Sequence, residues 1–284
     1  DGKSVYVSNN GDSTVSVIRT SDNEVIATID DAGDNPEGLA ASPDGNFVYV
    51  AYDNGVSKIR TSDNTVVDTL DVGGDTLTLE LTTEEELIAR EDIPSPTEEG
   101  KIKSLVVTPD DKFVYITNII EGKLFILQTS NFSELDSINL ADATTGIAVT
   151  PEGDFIYIPS DSHVDLVRVS DNTIVDSIDG VGDEPRGVAV TPDGDFVYVL
   201  FKGGLSVIEI STNKVVDTIS TVEVFIAELT GIAISSDGEL VYANGLALTD
   251  AEGVLLVVKT SDNKLDTVVV VGNRPLALAI TPDE

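Results

Sequence analysis

The sequence predicts an all-β fold, a single six-bladed β-propeller of four-stranded antiparallel blades, closed by pairing of its C-terminal strand with the N-terminal blade. Three observations predict it. The unit Thr191-Pro192-Asp193-Gly194-Asp195-Phe196-Val197-Tyr198-Val199 has close copies beginning at Ser42, Thr108, Thr150 and Ser235. A headless copy opens the chain (Gly2-Lys3-Ser4-Val5-Tyr6-Val7) and a tailless one, Thr281-Pro282-Asp283, ends it. The tyrosines Tyr6, Tyr49, Tyr115, Tyr157, Tyr198 and Tyr242 recur 41 to 44 residues apart, save for one interval of 66. A period of about 42 is that of a four-stranded blade, and the long interval is a blade plus one inserted loop.

Each repeat resolves into four strands. The first is short, as in Gly187-Val188-Ala189-Val190, and stops at the Thr-Pro-Asp-Gly turn, where proline presets φ and glycine supplies the unusual one. The second, Phe196-Val197-Tyr198-Val199, is β-branched and aromatic. The third, Leu205-Ser206-Val207-Ile208, alternates, and the fourth, Lys214 to Ile219, follows a Ser-Thr-Asn or Ser-Asp-Asn turn whose asparagine tolerates the left-handed conformation. The blades are assigned to 276–281 with 3–29, then 38–70, 104–138, 146–178, 187–219 and 231–269, with an inserted loop at 73–103. Within that loop Thr83 and Glu86 form a capping box, predicting one short helix.

The first strands carry a size code. Gly38/Ala40, Gly146/Ala148, Gly187/Ala189, Gly231/Ala233 and Ala277/Ala279 are small, and the residues between them are bulky. Strand side chains alternate between faces, so the small ones fit where six inner strands converge on the axis. The fourth strands repeat an acid: Asp68, Asp136, Asp176, Asp217 and Asp266, with Ala27 in the first repeat. On the outermost strand of a blade, charge discourages edge-to-edge pairing, and this is preferred to a metal-binding role.

Composition narrows the function. The 284 residues hold 51 acidic and 16 basic side chains, a formal charge of −35. Such a surface repels phosphate backbones, which argues against nucleic acid as a partner. No apolar run approaches the ~18 residues of a membrane helix, so no membrane insertion is expected. There is no cysteine, which removes disulfide and thiol chemistry. The chain opens on Asp rather than Met and is expected to derive from a precursor or a larger protein.

The repeat resembles the YVTN-repeat β-propeller family, through Tyr6-Val7-Ser8-Asn9 and Tyr115-Ile116-Thr117-Asn118 at the end of the second strand. The family's linking Val-Gly-x-x-Pro is matched at Val181-Gly182-Asp183-Glu184-Pro185 and Val271-Gly272-Asn273-Arg274-Pro275. The resemblance covers the chain except about 77–102. It implies a propeller similar to the surface-layer and lactonase-like propellers of archaea and bacteria, and no single catalytic motif. Many members have seven blades; six is a departure.

In a propeller, the second-to-third loops and the blade links emerge on one face. Every large irregularity falls there: the links 73–103 and 221–230 and the loop 244–253. The candidate partner-binding loop is acidic and includes Glu84, Glu85, Glu86 and Arg90. Before each inner strand stands a channel-mouth position: Glu37, Lys103, Thr145, Arg186, Thr230 and Leu276. Of these, Glu37, Lys103, Arg186 and Thr230, with Arg274 nearby, are candidate ligand-binding residues, although the arginines equally suit neutralisation of acids such as Glu184. The sole histidine, His163, cannot make a multi-histidine metal site. No nucleophile elbow or phosphate loop occurs. No cofactor is expected, and calcium held by loop carboxylates and carbonyls stays open because it needs no contiguous motif.

The expectation is a monomeric, non-enzymatic binding module of an extracellular or cell-surface protein, presenting irregular loops to a protein or glycan. The alternatives are a calcium-assisted lactonase-like hydrolase at the channel mouth and a structural surface-layer component.

Overall fold

A computed structural model describes residues 3–72, 102–140, 146–221, 226–247 and 253–271. The described residues form six antiparallel sheets arranged in chain order around one axis. Blade one comprises β1 (Ser4–Asn9), β2 (Thr14–Arg19) and β3 (Glu24–Ile29). Blade two comprises β4 (Leu39–Ala41), β5 (Phe47–Tyr52), β6 (Gly55–Arg60) and β7 (Thr65–Asp71). Blade three comprises β8 (Ile102–Val107), β9 (Phe113–Asn118), β10 (Lys123–Gln128) and β11 (Ser133–Asn139). Blade four comprises β12 (Ala148–Val149), β13 (Phe155–Pro159), β14 (His163–Arg168) and β15 (Thr173–Asp179). Blade five comprises β16 (Val188–Val190), β17 (Phe196–Phe201), β18 (Gly204–Glu209) and β19 (Lys214–Ser220). Blade six comprises β20 (Ile226–Ile234), β21 (Leu240–Ala247), β22 (Gly253–Lys259) and β23 (Lys264–Val271). A 3-10 turn, Asn10–Asp12, is the only helical element among the described residues. The inner strand assigned to blade one, 276–281, and the helix expected in 73–103 lie outside the described residues.

The core is divided between blades rather than held within them. Five apolar clusters lie at the five successive joins, for instance Tyr115, Leu124 and Ile126 of blade three against Ile147, Ile156, Ile158 and Val167 of blade four. Full burial of one such aliphatic side chain contributes roughly 1.5–3 kcal/mol. The sixth-to-first join differs. Val5 and Val7 are each 38% exposed, whereas their counterparts Val48 and Val50 are 3% and 0% exposed.

The small residues of the inner strands sit where backbone crowds them. A Cβ on Gly146 would stand 2.1 Å from the Arg186 carbonyl oxygen of the next blade, and one on Gly187 would meet Leu200 at 2.8 Å. The axis leaves no room there for a side chain.

The repeating turns explain their own residues. In Thr-Pro-Asp-Gly, Thr191 Oγ1 donates to Asp193 Oδ1 (2.6 Å), and the same carboxylate oxygen accepts the Asp195 amide (3.0 Å). The following turn folds onto it: Thr260 Oγ1 donates to the carbonyls of Gly238 (2.8 Å) and Glu239 (3.1 Å). Both kinds of turn therefore lie on one face.

That face also ties the blades together. Tyr6 donates to Asn64 Oδ1 (2.6 Å), Tyr115 to Asn172 (2.6 Å), Tyr157 to Asn213 (3.1 Å) and Tyr198 to Asn263 (2.6 Å). Each bond runs from the second strand of one blade to the turn asparagine of the next. Those asparagines hold φ between 53° and 55°, the left-handed region their side chains tolerate. At the second join Phe132 replaces the asparagine. There Lys58 Nζ donates to the Thr129 carbonyl (3.1 Å) and stands 4.2 Å from the centroid of the Phe47 ring, a cation–π contact. No such bond joins Tyr242 to Asn23 at the sixth-to-first join.

The recurring acid of the fourth strand has a local task. In blades two to five a bulge sits just before it, leaving Val67, Leu135, Val175 or Val216 unpaired in the ladder. The carboxylate then accepts the next amide: Asp68 from Thr69 (3.0 Å), Asp136 from Ser137 (2.8 Å), Asp176 from Ser177 (2.9 Å) and Asp217 from Thr218 (2.8 Å). Blade six breaks the series. The bulge falls on Asp266 itself, and the position of the capping acid is taken by Thr267.

Candidate functional site

The opposite face carries the links and the second-to-third loops, which also interlock. Asn35 Nδ2 of the first link donates to Asp53 Oδ2 (2.7 Å), and Lys202 Nζ donates to Glu184 Oε1 (2.9 Å). Gly33 and Gly182 hold φ of 103° and 89°, and a Cβ on either would strike the ring of Tyr52 or Phe201 at 2.3 Å. Glycine is needed there both for the backbone angle and for the aromatic lid.

Four of the channel-mouth positions, Glu37, Lys103, Arg186 and Thr230, are equivalent in backbone as well as in sequence, each the extra residue of a bulge where the inner strand enters its blade. Thr145 and Leu276 lie outside the described residues. The Glu37 amide donates to the Ala51 carbonyl (2.9 Å), and the Arg186 amide to the Leu200 carbonyl (2.8 Å). Thr230 falls in the register shift between Leu229 and Gly231, and its Oγ1 donates to the Asn244 carbonyl (3.4 Å). Lys103 falls in the corresponding shift between Ile102 and Ser104. A bulge re-aims one side chain at a rim, which suits a ring of residues around a mouth.

Their chemistry is less uniform. Glu37 accepts the Ser8 hydroxyl at its backbone carbonyl (2.8 Å). Arg186 Nη2 donates to Glu184 Oε2 (3.2 Å), and Lys202 holds the other oxygen of that carboxylate. Lys202 first, and Arg186 after it, keep Glu184 below the usual carboxylate range. Arg186 thus engages Glu184, the neighbour expected from the sequence. Arg274, Glu84, Glu85, Glu86 and Arg90 lie outside the described residues. Among the described residues no group of three or more His, Asp or Glu side chains is placed to hold a metal ion.

Blade six departs most from its sisters on this face. β20 has nine residues where β4, β12 and β16 have three, two and three, and β21 has eight. Their pairing continues past Thr230, through Leu229 with Gly245 and Glu228 with Leu246 to Ile226 with Ala247. Within β21, at the base of this extension, Asn244 is 1% exposed, and neither its Oδ1 nor its Nδ2 has a hydrogen-bond partner among the described residues.

Two polar features went unnoticed in the sequence. Asn244 is one; the other is a knot in blade four. Asp165, 3% exposed, accepts from Ser177 Oγ (2.8 Å), Ser160 Oγ (3.1 Å) and His163 Nε2 (3.1 Å). Both serines bond the carboxylate rather than the imidazole, so the group is no nucleophile–base relay. It braces the third strand at a position where blades two and five carry Ser57 and Ser206. The signal was readable: a lone Asp where blades one, two and five have Ser and blades three and six have Phe125 and Leu256.

No protein-family model matches the chain, and no curated protein matches it. Solved structures do. Hydrazine synthase from Kuenenia stuttgartiensis is similar with a TM-score of 0.65 and 17% identity, over 84% of this chain and 66% of that one. A functionally unknown protein from Desulfotomaculum acetoxidans DSM 771 is similar with a TM-score of 0.76 and 15% identity, over 99% of this chain and 86% of that one. At such identities the likeness shows the propeller fold alone.

Proposed function

We propose that the protein is a non-enzymatic binding module, presenting the face of its links and second-to-third loops to a protein or glycan partner at a cell surface. The extended open end of the β20–β21 strand pair carries this reading. On the opposite face the turn residues are spent on holding turns and blades together. On the link face one blade grows beyond what the ring requires, and loops on a rigid scaffold are where binding residues concentrate. The resemblance of the repeat to the YVTN family, with its cell-surface and surface-layer members, supports an exported setting.

The test exchanges one face at a time. Residues 246–253 are replaced by the short Lys202-Gly203 turn of blade five, and separately Ser261 and Thr260 of the opposite face are changed to alanine. Binding is read on a glycan array and against purified surface proteins. Loss with the first change and retention with the second is expected. The reverse pattern refutes the assignment of the face.

A further inference from the structure

The outer edges of the blades are not equally protected. The outermost strands of blades two to five each carry the aspartate that caps the amide beside the bulge, and they end on Asp71, Asn139, Asp179 and Ser220. In blade one β3 lacks that acid, having Ala27, but it runs into Asp30 and Asp31. Charge at an outer edge is a standard protection against pairing with another chain.

β23 has none of it. Beyond its bulge it runs regularly from Thr267 to Val271, and Val268, Val269 and Val270 are 40%, 43% and 65% exposed. It pairs only with β22, so its outer edge is unpaired among the described residues. Its charges are also compensated: Lys259 forms an ion pair with Asp266, and Lys264 lies 3.4 Å from Asp262. In a chain of formal charge −35 this edge is locally neutral, apolar and rich in β-branched residues.

We infer that β23 is a self-association edge, pairing antiparallel with β23 of a second copy to give a two-fold dimer with one continuous eight-stranded sheet. The second copy is the occupant because an antiparallel strand pair is self-complementary about a dyad, and a closed two-fold contact stops at two copies. The local neutrality spares the contact the repulsion that two acidic molecules meet at the aspartate-bearing edges of blades two to five. This departs from the monomer expected from the sequence.

The test uses the full chain at about 1 M NaCl, where repulsion is screened to a Debye length of ~3 Å. Sedimentation across micromolar to near-millimolar concentrations should show the mass moving from 30.0 kDa toward twice that value. Val270→Asp places on β23 a strand-end acid of the kind that blades two and four carry as Asp71 and Asp179, and should hold the chain monomeric. Val216→Asp, at an equally apolar but already protected edge, should associate as the parent does. Because the chain has no cysteine, Val268→Cys, Val269→Cys and Val270→Cys give an independent reading. The residue nearest the dyad faces its own copy at about 4.5–5.5 Å between Cα atoms and should oxidise to a covalent dimer. Val216→Cys should not. A parent that stays monomeric throughout overturns the inference. So does a dimer that survives Val270→Asp, or cross-linking at 216 but at none of the three β23 positions.

Discussion

Removing one inter-blade bond measures how the ring is held. Tyr157→Phe deletes a single hydroxyl and leaves the buried ring in place. A net hydrogen bond contributes about 0.5–1.5 kcal/mol. Asn213 is only partly buried, so water can replace the lost donor, and about 1 kcal/mol is expected. Asn213→Gly loses the same bond but keeps the left-handed backbone at φ 53°. Asn213→Ala loses the bond and also keeps a Cβ in that region without the polar side chain that lets asparagine tolerate it, adding about 1–2 kcal/mol. Urea midpoints of Tyr157→Phe, Asn213→Gly and the double variant form a cycle whose coupling should be about 1 kcal/mol. Tyr49→Phe is the internal comparison, since Tyr49 faces the Phe132 ring rather than an asparagine, and its cost should fall below that of Tyr157→Phe. A coupling of zero, with both single variants destabilised, would mean that the bond does not join the blades energetically.

Three further outcomes follow from the same geometry. Gly146→Ala should cost about 3 kcal/mol or prevent folding, because its Cβ meets the Arg186 carbonyl at 2.1 Å; thermal melting against Gly11→Ala, which meets nothing within 4 Å, checks it. Burial pushes the Tyr157 and Tyr198 phenols up to about 12. The folded form then holds protons that an unfolded phenol loses near 10, so this stabilisation is complete below pH ~10 and lost as pH rises toward 12. Urea titrations across that range should show it, with a smaller decline in Tyr157→Phe. Melting temperature should rise between 0.01 M and 1 M salt, as the Debye length falls from ~30 Å to ~3 Å and the repulsion among 51 acids is screened; a flat response refutes net self-repulsion.

Much of the architecture was legible because each blade repeats its own instructions. Strand positions followed from the tyrosine period, and the turns from proline, glycine and asparagine. Gly146 and Gly187 announced the crowded axis. What stayed hidden depends on contacts between repeats. Tyr157 and Asn213 stand 56 residues apart, a separation that means nothing until blades are known to pack in order. Lys58 occupies an apolar position of the repeat, and only the neighbouring blade supplies its carbonyl and rings. Asp266 seemed one of the recurring acids of the fourth strand; a segment one residue shorter between the turn asparagine and the acid places it on the bulge instead. The candidate site was legible in its positions and less so in its chemistry. Glu37, Arg186 and Thr230 occupy one kind of bulge, and the pairing of Arg186 with Glu184 was readable, but the engagement of Lys202 with the same carboxylate needed the fold, because Lys202 comes from a different loop.

The two faces and the rim divide the chain's polar groups according to what each must do. Turn acids on one face are consumed by hydroxyls, amides and neighbouring cations; Arg168 and Thr173 together hold Asp171 down to about 2. On most of the rim the acids cap amides and keep other chains away. Surplus acidity that is neither capping nor paired keeps separate copies apart, so association is confined to wherever that surplus is cancelled. The β23 edge, with Lys259 against Asp266 and valines beyond, is such a place. The extended β20–β21 strand pair of blade six belongs to the same sheet. A dimer through β23 would therefore set two copies of the proposed binding edge at a fixed spacing, and linked sites can bind a repetitive surface more tightly than either alone, by about 10²–10⁴-fold where geometry permits.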